Sequence, residues 1–496
     1  MGNIMEQYDL AVIGGGPAGY TAADLASSEG LKTVLFEEAG LGGVCLNEGC
    51  VPTKVLLNSS KLLYSLKGGA AYGIQTGGGD LSISHESVLR RKEKVIRSLV
   101  AGVKAKLAGS GAAVIYGSAA ISGQSDNKYI VTQLTGPDSG RRFEAARVLA
   151  APGSAPIIPN IDGLSECLDS DFCVTSKETL SLSETPKNLV IVGGGVIGLE
   201  LADYYNAAGS NVTVVELLDR IAYPMDGEIA KILLENLKKK GIAFRLATRF
   251  IKAAPGYVMT EPAAKPIGTG TKPAATGDMP ADTAAKQTEA GDMQGCEKIP
   301  ADKVLIAIGR KPRISGFGAE ALGVQIERGA VLTDCYMRTN IPNIYAAGDI
   351  NGKSMLAHTA YREAARAVRH MAGKPVKMDY GAIPSIVYTY PEAAGVGETE
   401  ESASASGLSV KTITLPLRYS GRYVAESESG DGICKVLVNA KSGNLLGMHI
   451  IGSYASEIIL SAAFMIESRW PAEALRELAF PHPTVGEAIR EALYKI

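Results

Sequence analysis

The chain has 496 residues, more than a single hydrophobic core accommodates, so two to four domains are expected. Hydrophobic residues make up 46% and charged residues 21%, and the formal net charge of -2 comes without the basic tail or stripe that a nucleic-acid partner requires. Seven cysteines are too few for a secreted disulfide framework, no apolar run reaches the ~18 residues of a membrane span, and MGNIMEQYD lacks the marks of a signal peptide, so a cytoplasmic location is expected.

The first ordered unit is YDLAVIGGGPAGYTAADLASSEGLKTVLFE, from Tyr8 to Glu37. An apolar strand (Leu10–Ile13) leads into Gly14, Gly16 and Gly19, then a helix, then a second strand ending in Glu37. In this G-x-G-x-x-G pattern the first glycine permits a tight turn, the second lets backbone approach a pyrophosphate, and the third lets helix and strand pack closely. A helix N-terminus receives the anion, and the acid at the second strand's end accepts hydrogen bonds from a ribose diol.

Next comes GGVCLNEGCVPTK, from Gly42 to Lys54, with Cys45 and Cys50 five positions apart. In an unbroken helix their Cα atoms would lie ~8.6 Å apart, beyond the roughly 4.4–6.8 Å that a disulfide spans. A bridge therefore requires distortion, for which Gly42, Gly43 and Gly49 supply backbone freedom. Such a bridge is strained and reducible, and Lys54 favours a thiolate nearby. Two separate buried thiols are the plainer alternative.

Residues 56–110 read as largely helical, and 113–150 as β-like, including Ala113–Tyr116, Tyr129–Val131 and Val148–Ala151. Ala151-Pro152-Gly153-Ser154 breaks the chain and marks a domain junction. The opening unit then recurs as NLVIVGGGVIGLELADYYNAAGSNVTVVE, with Gly193, Gly195, Gly198 and Glu216. From first glycine to acid the interval is 23 residues in both copies. Two such units imply two dinucleotides on two doubly wound βαβ domains. Glu216 favours a free 2′-hydroxyl over a 2′-phosphate, and Leu217-Leu218 offers no arginine, so NAD is expected rather than NADP.

Glu228–Lys240 is an amphipathic helix and Ala243–Leu246 a strand. Residues 254–299 are rich in small and polar types and too poor in apolar area to offset their ordering entropy, so a mobile surface excursion from a hairpin is expected there. An apolar strand returns at Lys303–Ile308, before Gly309-Arg310. NIYAAGDI (343–350) leads into Asp349, suited to the ribityl or phosphate region of a flavin, and MLAH (355–358) follows. Near the end, His482 stands in FPHPTVGEA five residues before Glu487. A base held by a third group in this way suits thiol deprotonation near neutral pH.

Taken together, GGVCLNEGCVPTK, GGGVIGLE, IAIGRKP, AAGD, MLAH, PSIVYTYPE and FPHPTVGEA resemble the flavoprotein disulfide reductases, the class I pyridine nucleotide-disulfide oxidoreductases, and within them the dihydrolipoamide dehydrogenase group. The likeness spans the chain except 254–299. It implies an α/β fold: two Rossmann-like dinucleotide-binding domains plus a C-terminal α+β dimerisation domain. The expected division is 1–153 (FAD, first part), 154–311 (NAD), 312–382 (FAD, central part) and 383–496 (dimerisation).

By the same resemblance FAD is held by Gly14, Gly16, Gly19, Glu37, Lys54, Gly117, Gly153, Asp349, Met355, Leu356, Ala357 and His358. NAD is held by Gly193, Gly195, Gly198, Glu200, Glu216 and Gly309, with Glu200 also pairing with Lys54. No metal site is expected. Cys45 faces the thiol substrate, Cys50 the flavin, and His482 with Glu487 acts on the cysteines of the other subunit of a homodimer. The implied reaction reoxidises protein-bound dihydrolipoamide with NAD+, and the implied partner is a lipoyl-bearing acyltransferase of a 2-oxo acid dehydrogenase complex, or the glycine cleavage carrier protein.

Glutathione and mercuric reductases are the nearest alternatives. The former have lysine where Thr53 stands, and the latter end in vicinal cysteines, whereas this chain ends in ALYKI. An NADH oxidase or peroxide reductase would carry one redox cysteine rather than two, and a non-catalytic flavoprotein would not need His482 and Glu487. Three departures from the family pattern are Val44 for threonine, Pro152 for threonine, and Phe480 for the first histidine of HxHPT.

Overall fold

The computed structural model describes residues 5–75, 77, 79–263, 295–427 and 430–496. Its N-terminal sheet has strands β1 (Glu6–Ile13), β2 (Thr33–Glu37), β3 (Ala113–Tyr116), β4 (Ala119–Ser125), β5 (Lys128–Gln133) and β6 (Arg142–Ala150), in the order β3-β2-β1-β6-β5-β4, with Ile344–Ala346 paired to β6. The β3-β2-β1-β6 half is parallel and is joined by the parallel strand 344–346, whereas β6-β5-β4 is an antiparallel meander. Helices α1 (Pro17–Ser28), α2 (Gly43–Asn47), α3 (Cys50–Lys67) and α4 (His85–Ser110) fall between its strands in the chain. Leu10, Val12, Leu35 and Leu149 are buried in the sheet's core with Ala22, Ala23 and Ala26 of α1.

The chain leaves this sheet through β7 (Ser154–Pro156), α5 (Leu164–Asp169), β8 (Cys173–Val174) and α6 (Ser176–Thr179). A second parallel sheet then assembles from β9 (Asn188–Val192), α7 (Val196–Ala207), β10 (Asn211–Val215), α8 (Gly227–Lys239) and β11 (Ala243–Arg245). Strands β12 (Thr248–Ala254), β13 (Tyr257–Pro262) and β14 (Glu297–Pro300) form an antiparallel sheet before β15 (Lys303–Ile306) returns to the centre, giving β11-β10-β9-β15-β8. Strand β16 (Arg310–Pro312) pairs with β7, so the outgoing and returning connections run side by side. Of the expected 254–299 excursion, both flanks are strands of one sheet, and 264–294 lies outside the described residues.

Helix α9 (Ala357–Met371) packs on the N-terminal core. The last sheet, Ser385–Val387, Glu392–Gly397, Leu445–Gly452, Ile433–Asn439 and Val410–Pro416 in that order, is antiparallel, with the helices Ala455–Ser468 and Glu487–Leu493 packed in its core. Among the described residues no helix is long and apolar enough to cross a membrane.

The two glycine units repeat in atomic detail. A Cβ on Gly14 would lie 2.3 Å from the Ala151 carbonyl oxygen, and one on Gly193 2.3 Å from that of Ala307. One on Gly19 would lie 1.7 Å from the Gly14 oxygen, and one on Gly198 2.1 Å from that of Gly193. The third glycine is therefore a packing requirement of the turn, whereas the middle glycine, Gly195, has nothing within 4 Å of its Cβ position. We expect Gly198→Ala to destabilise the fold by about 2–3 kcal/mol through overpacking, while Gly195→Ala leaves thermal unfolding unchanged and weakens nicotinamide dinucleotide binding. Thermal melts with and without NADH separate the two effects.

Candidate functional site

One continuous cavity of about 3110 Å³ runs between the two glycine turns and over the cysteine loop. Gly14, Gly16, Glu37, Cys45, Cys50, Lys54, Gly117, Gly153, Asp349 and Met355 to His358 line it, together with Gly193, Gly195, Glu200, Glu216 and Gly309. Gly19 and Gly198 do not line it. They support their turns from behind, so their expected part in binding is indirect. His482 and Glu487 also stand apart from this cavity within one chain.

The phosphate-binding features are built into backbone. Gly16 caps the N-terminus of α1 and Gly195 that of α7, neither end has a side-chain cap, and both cap glycines line the cavity. Such free N–H groups with the helix dipole suit phosphate. At the far ends of β2 and β10 the two acids make matching contacts. The Gly15 N–H donates to Glu37 Oε2 at 2.6 Å, and the Gly194 N–H to Glu216 Oε2 at 2.5 Å. Glu37 also accepts from the N–H groups of Ala39 and Gly40, and Glu216 from that of Leu218. Burial raises the pKa of Glu216, with these backbone donors opposing the shift. Beyond Leu217-Leu218, Arg220 also lines the cavity, and its guanidinium donates to Glu401 at 3.0 Å.

The cysteine loop is not the unbroken helix assumed in the spacing estimate. Helix α2 ends at Asn47, Gly49 adopts φ -146°, ψ -109°, and α3 starts at Cys50. The break falls between the two cysteines, and both are thiols in this structure. The Cys45 S–H donates to Cys50, which with the Lys54 charge lowers the Cys50 pKa to about 7 against the cost of burial. Cys45 is pushed the opposite way by the same bond, by burial and by the Cys50 charge. The pair is thus polarised into one thiol and one incipient thiolate. The Cys50 thiolate is present above about pH 7 and lost as pH falls through that value. We expect a pH titration of the reduced protein, followed by alkylation at Cys50, to show that midpoint, and Lys54→Met to move it upward.

Lys54, one turn into α3, reaches Glu200 of α7 at 2.8 Å and lies 4.4 Å from the centroid of the Tyr388 ring. Glu200 is buried and also accepts from the Tyr388 N–H at 3.0 Å. This acid is therefore committed to holding Lys54 and the 388 segment, beside its expected place in the NAD site. Asp349 follows Gly348, whose φ of +81° favours glycine. The Asp349 carboxylate accepts from Ser154 Oγ at 2.5 Å, and Arg310 Nε donates to Ser154 Oγ at 2.8 Å. Burial raises the Asp349 pKa. His358 Nε2 contacts the Pro384 oxygen at 2.9 Å, and burial lowers its pKa.

Several contributors have no local sequence signal. Ser154 and Arg310 come from the paired linkers β7 and β16, and Glu363 of α9 accepts from the Gly348 N–H at 2.6 Å and from Tyr380 at 2.6 Å. In the C-terminal unit His482 Nδ1 is 2.9 Å from Glu487 Oε1, and the Thr484 N–H donates to Glu487 Oε2 at 3.0 Å. The His482 side chain is 75% exposed and that of Glu487 6%. The Thr484 N–H and His482 hold the Glu487 pKa below its ordinary value. Among the departures, Val44 and Pro152 line the cavity, and Phe480 packs partly buried on the C-terminal core.

Comparison with known proteins gives the same grouping. Residues 8–364 match the model described as pyridine nucleotide-disulphide oxidoreductase, and residues 383–493 that of the family's dimerisation domain. The dihydrolipoyl dehydrogenase of Bacillus subtilis is 34% identical over 98% of this chain and 97% of its own, and that of Chlorobaculum parvum is 35% identical over 98% and 97%. The solved structure of LpdA from Mycobacterium tuberculosis matches with a TM-score of 0.83 at 26% identity, covering 99% of both chains. With two glycine turns and a polarised cysteine pair on one cavity and a separate dimerisation unit, the chain belongs to the pyridine nucleotide-disulphide oxidoreductase family.

Proposed function

We propose that this protein is a homodimeric dihydrolipoyl dehydrogenase, an FAD-dependent oxidoreductase that reoxidises a protein-bound dihydrolipoyl group and reduces NAD+ to NADH. The observation that carries this reading is the polarised Cys45/Cys50 pair in a cavity that two dinucleotide turns share. Full-length similarity to dihydrolipoyl dehydrogenases supports the choice of substrate.

The residues fit FAD in the first unit. The uncapped start of α1, the Glu37 carboxylate and the buried Asp349 offer a pyrophosphate seat, a ribose acceptor and a ribityl acceptor. Gly117 and Gly153, with positive φ, and residues 355–358 complete its walls, with Lys54 at the redox end. The second unit holds NAD through Gly193, Gly195, Glu216 and Gly309 at the cavity wall. When bound, FAD supplies two-electron chemistry between a dithiol and a nicotinamide.

In the oxidised protein, His482 of one subunit takes the proton of a dihydrolipoyl thiol, and the thiolate attacks Cys45 of the other. The Cys45–Cys50 bond breaks, and Cys50 leaves as a thiolate stabilised by Lys54. The second lipoyl thiol, deprotonated in turn, attacks the lipoyl sulfur of the mixed disulfide. Cys45 departs and is protonated, so the substrate loses two electrons and the cysteine pair gains them. Glu487 holds the imidazole in place and stabilises its charged form.

The lipoyl donor is expected on an acyltransferase of a 2-oxo acid dehydrogenase complex or on the glycine cleavage carrier protein. The purified protein should be yellow, carry FAD, and reduce NAD+ with dihydrolipoamide. Turnover of glutathione disulfide with NADPH in place of that activity would reject the reading.

A further inference from the structure

Lys54 carries the charge that stabilises the Cys50 thiolate, yet its side chain is 34% exposed on the cavity. An ammonium on a flexible four-carbon stem keeps one position there only when several groups hold it. Glu200 is one such group, with its two oxygens 3.1 and 2.8 Å from Lys54 Nζ. Tyr388 is the other, and it belongs to the C-terminal unit. Its ring centroid lies 4.4 Å from Nζ, within the roughly 6 Å over which an aromatic face attracts a cation. Its backbone N–H donates to Glu200 Oε1 at 3.0 Å. One residue thus grips both partners of the ion pair, the acid with its backbone and the ammonium with its ring.

The segment that carries this ring is itself fastened. Asp203, three residues after Glu200 on α7, accepts from the Tyr390 N–H at 3.1 Å and pairs with Lys240 at 2.6 Å. Lys240 lies 4.0 Å from the ring centroid of Tyr64 on α3, and the Tyr64 and Tyr390 rings stack at 6.4 Å with planes 8° apart. Tyr388 also packs on the apolar cluster that holds Leu56 and Leu57 of α3 and Leu199 of α7. Its ring is therefore fixed relative to α3. Cys50 and Lys54 are one turn apart on that helix, where side chains are neighbours. We propose that Tyr388 is a positioning residue of the exchange reaction, whose ring holds the Lys54 ammonium beside Cys50 by a cation–π contact, so that the departing Cys50 sulfur meets a positive charge.

The inference rests on the leaving-group role given to Cys50 above, but its test needs neither carrier nor turnover. Cys50 of the reduced holoenzyme is titrated by iodoacetamide alkylation against pH. Besides Lys54, the groups that sense charge on Cys50 are Cys45, Glu200, Arg310, Tyr361 and Tyr388 itself. Tyr388→Phe removes the phenol, keeps the ring face and should keep the wild-type midpoint, so it is the reference for the other replacements. A ring-fluorinated phenylalanine at position 388 keeps the shape but depletes the negative face, and it should move the midpoint upward. Tyr388→Leu should move it upward by about half a pH unit, the change for an ammonium retreating from roughly 5 to roughly 6.5 Å at an effective dielectric constant of about 20. In a Lys54→Met background the same replacements should add no further shift. Equal midpoints with the plain and fluorinated rings, or a Tyr388→Leu shift that survives in Lys54→Met, would overturn the proposal. If Tyr388→Leu does not hold FAD, the two rings alone decide. Wild-type holoenzyme that fails to oxidise dihydrolipoamide would instead reject the function above and leave this titration standing.

Discussion

Cys45→Ser should lower NAD+ reduction by dihydrolipoamide by at least about a thousandfold, as loss of a nucleophile does in other covalent mechanisms, while FAD stays bound and NADH still reduces an artificial dye. The expectation follows from the division of labour in the pair. Cys45 is held as a thiol and Cys50 as the incipient thiolate, so the two sulfurs are not exchangeable. Serine at 45 retains an O–H that can donate to Cys50, whereas alanine does not. The Cys50 titration near pH 7 should therefore persist in Cys45→Ser and move upward in Cys45→Ala, although both are inactive in exchange. Titration of the reduced variants by absorbance and alkylation reads this directly. Loss of FAD from Cys45→Ser would recast the pair as structural.

Much of this arrangement was legible in the sequence because it rests on short-range constraints. A glycine at position 14 or 193 is demanded by a backbone oxygen 2.3 Å from the Cβ position, and that demand repeats with an acid 23 residues later. His482 and Glu487 were legible for the same reason, since one turn of chain joins them. What escaped depends on long-range assembly. Ser154 and Arg310 meet because β7 and β16 pair across 156 residues, and Tyr20 meets Tyr361 across 341. Neither spacing has a periodic signature. The cysteine loop lies between these cases. An ideal helix separates the sulfur-bearing residues, yet the helix breaks at Gly49 between them, and Cys45 lowers the pKa of Cys50.

The largest effect on the other half of the site is expected at His482. His482→Gln should reduce dihydrolipoamide oxidation by about 10²–10⁴-fold, the range of general acid–base catalysis, and leave the Cys50 titration and NADH-driven dye reduction intact. Within one chain His482 does not line the cysteine cavity, and its imidazole is exposed on a unit that matches a dimerisation domain. If the base of each site comes from the other subunit, two inactive variants must complement each other. A dimer with one Cys45→Ser subunit and one His482→Gln subunit has one site with both lesions and one with none. Random mixing makes about half of the dimers hybrid, and each has one of two sites intact, so activity should recover to about one quarter of wild type. Refolding or co-expressing the two variants and assaying dihydrolipoamide oxidation tests the split site without reference to the carrier. Recovery absent from verified hybrids would place the base within the same chain as its cysteines. Glu487→Gln should weaken turnover less than His482→Gln and most at pH values where the imidazolium must be stabilised, because the carboxylate orients and charges the ring rather than taking the proton.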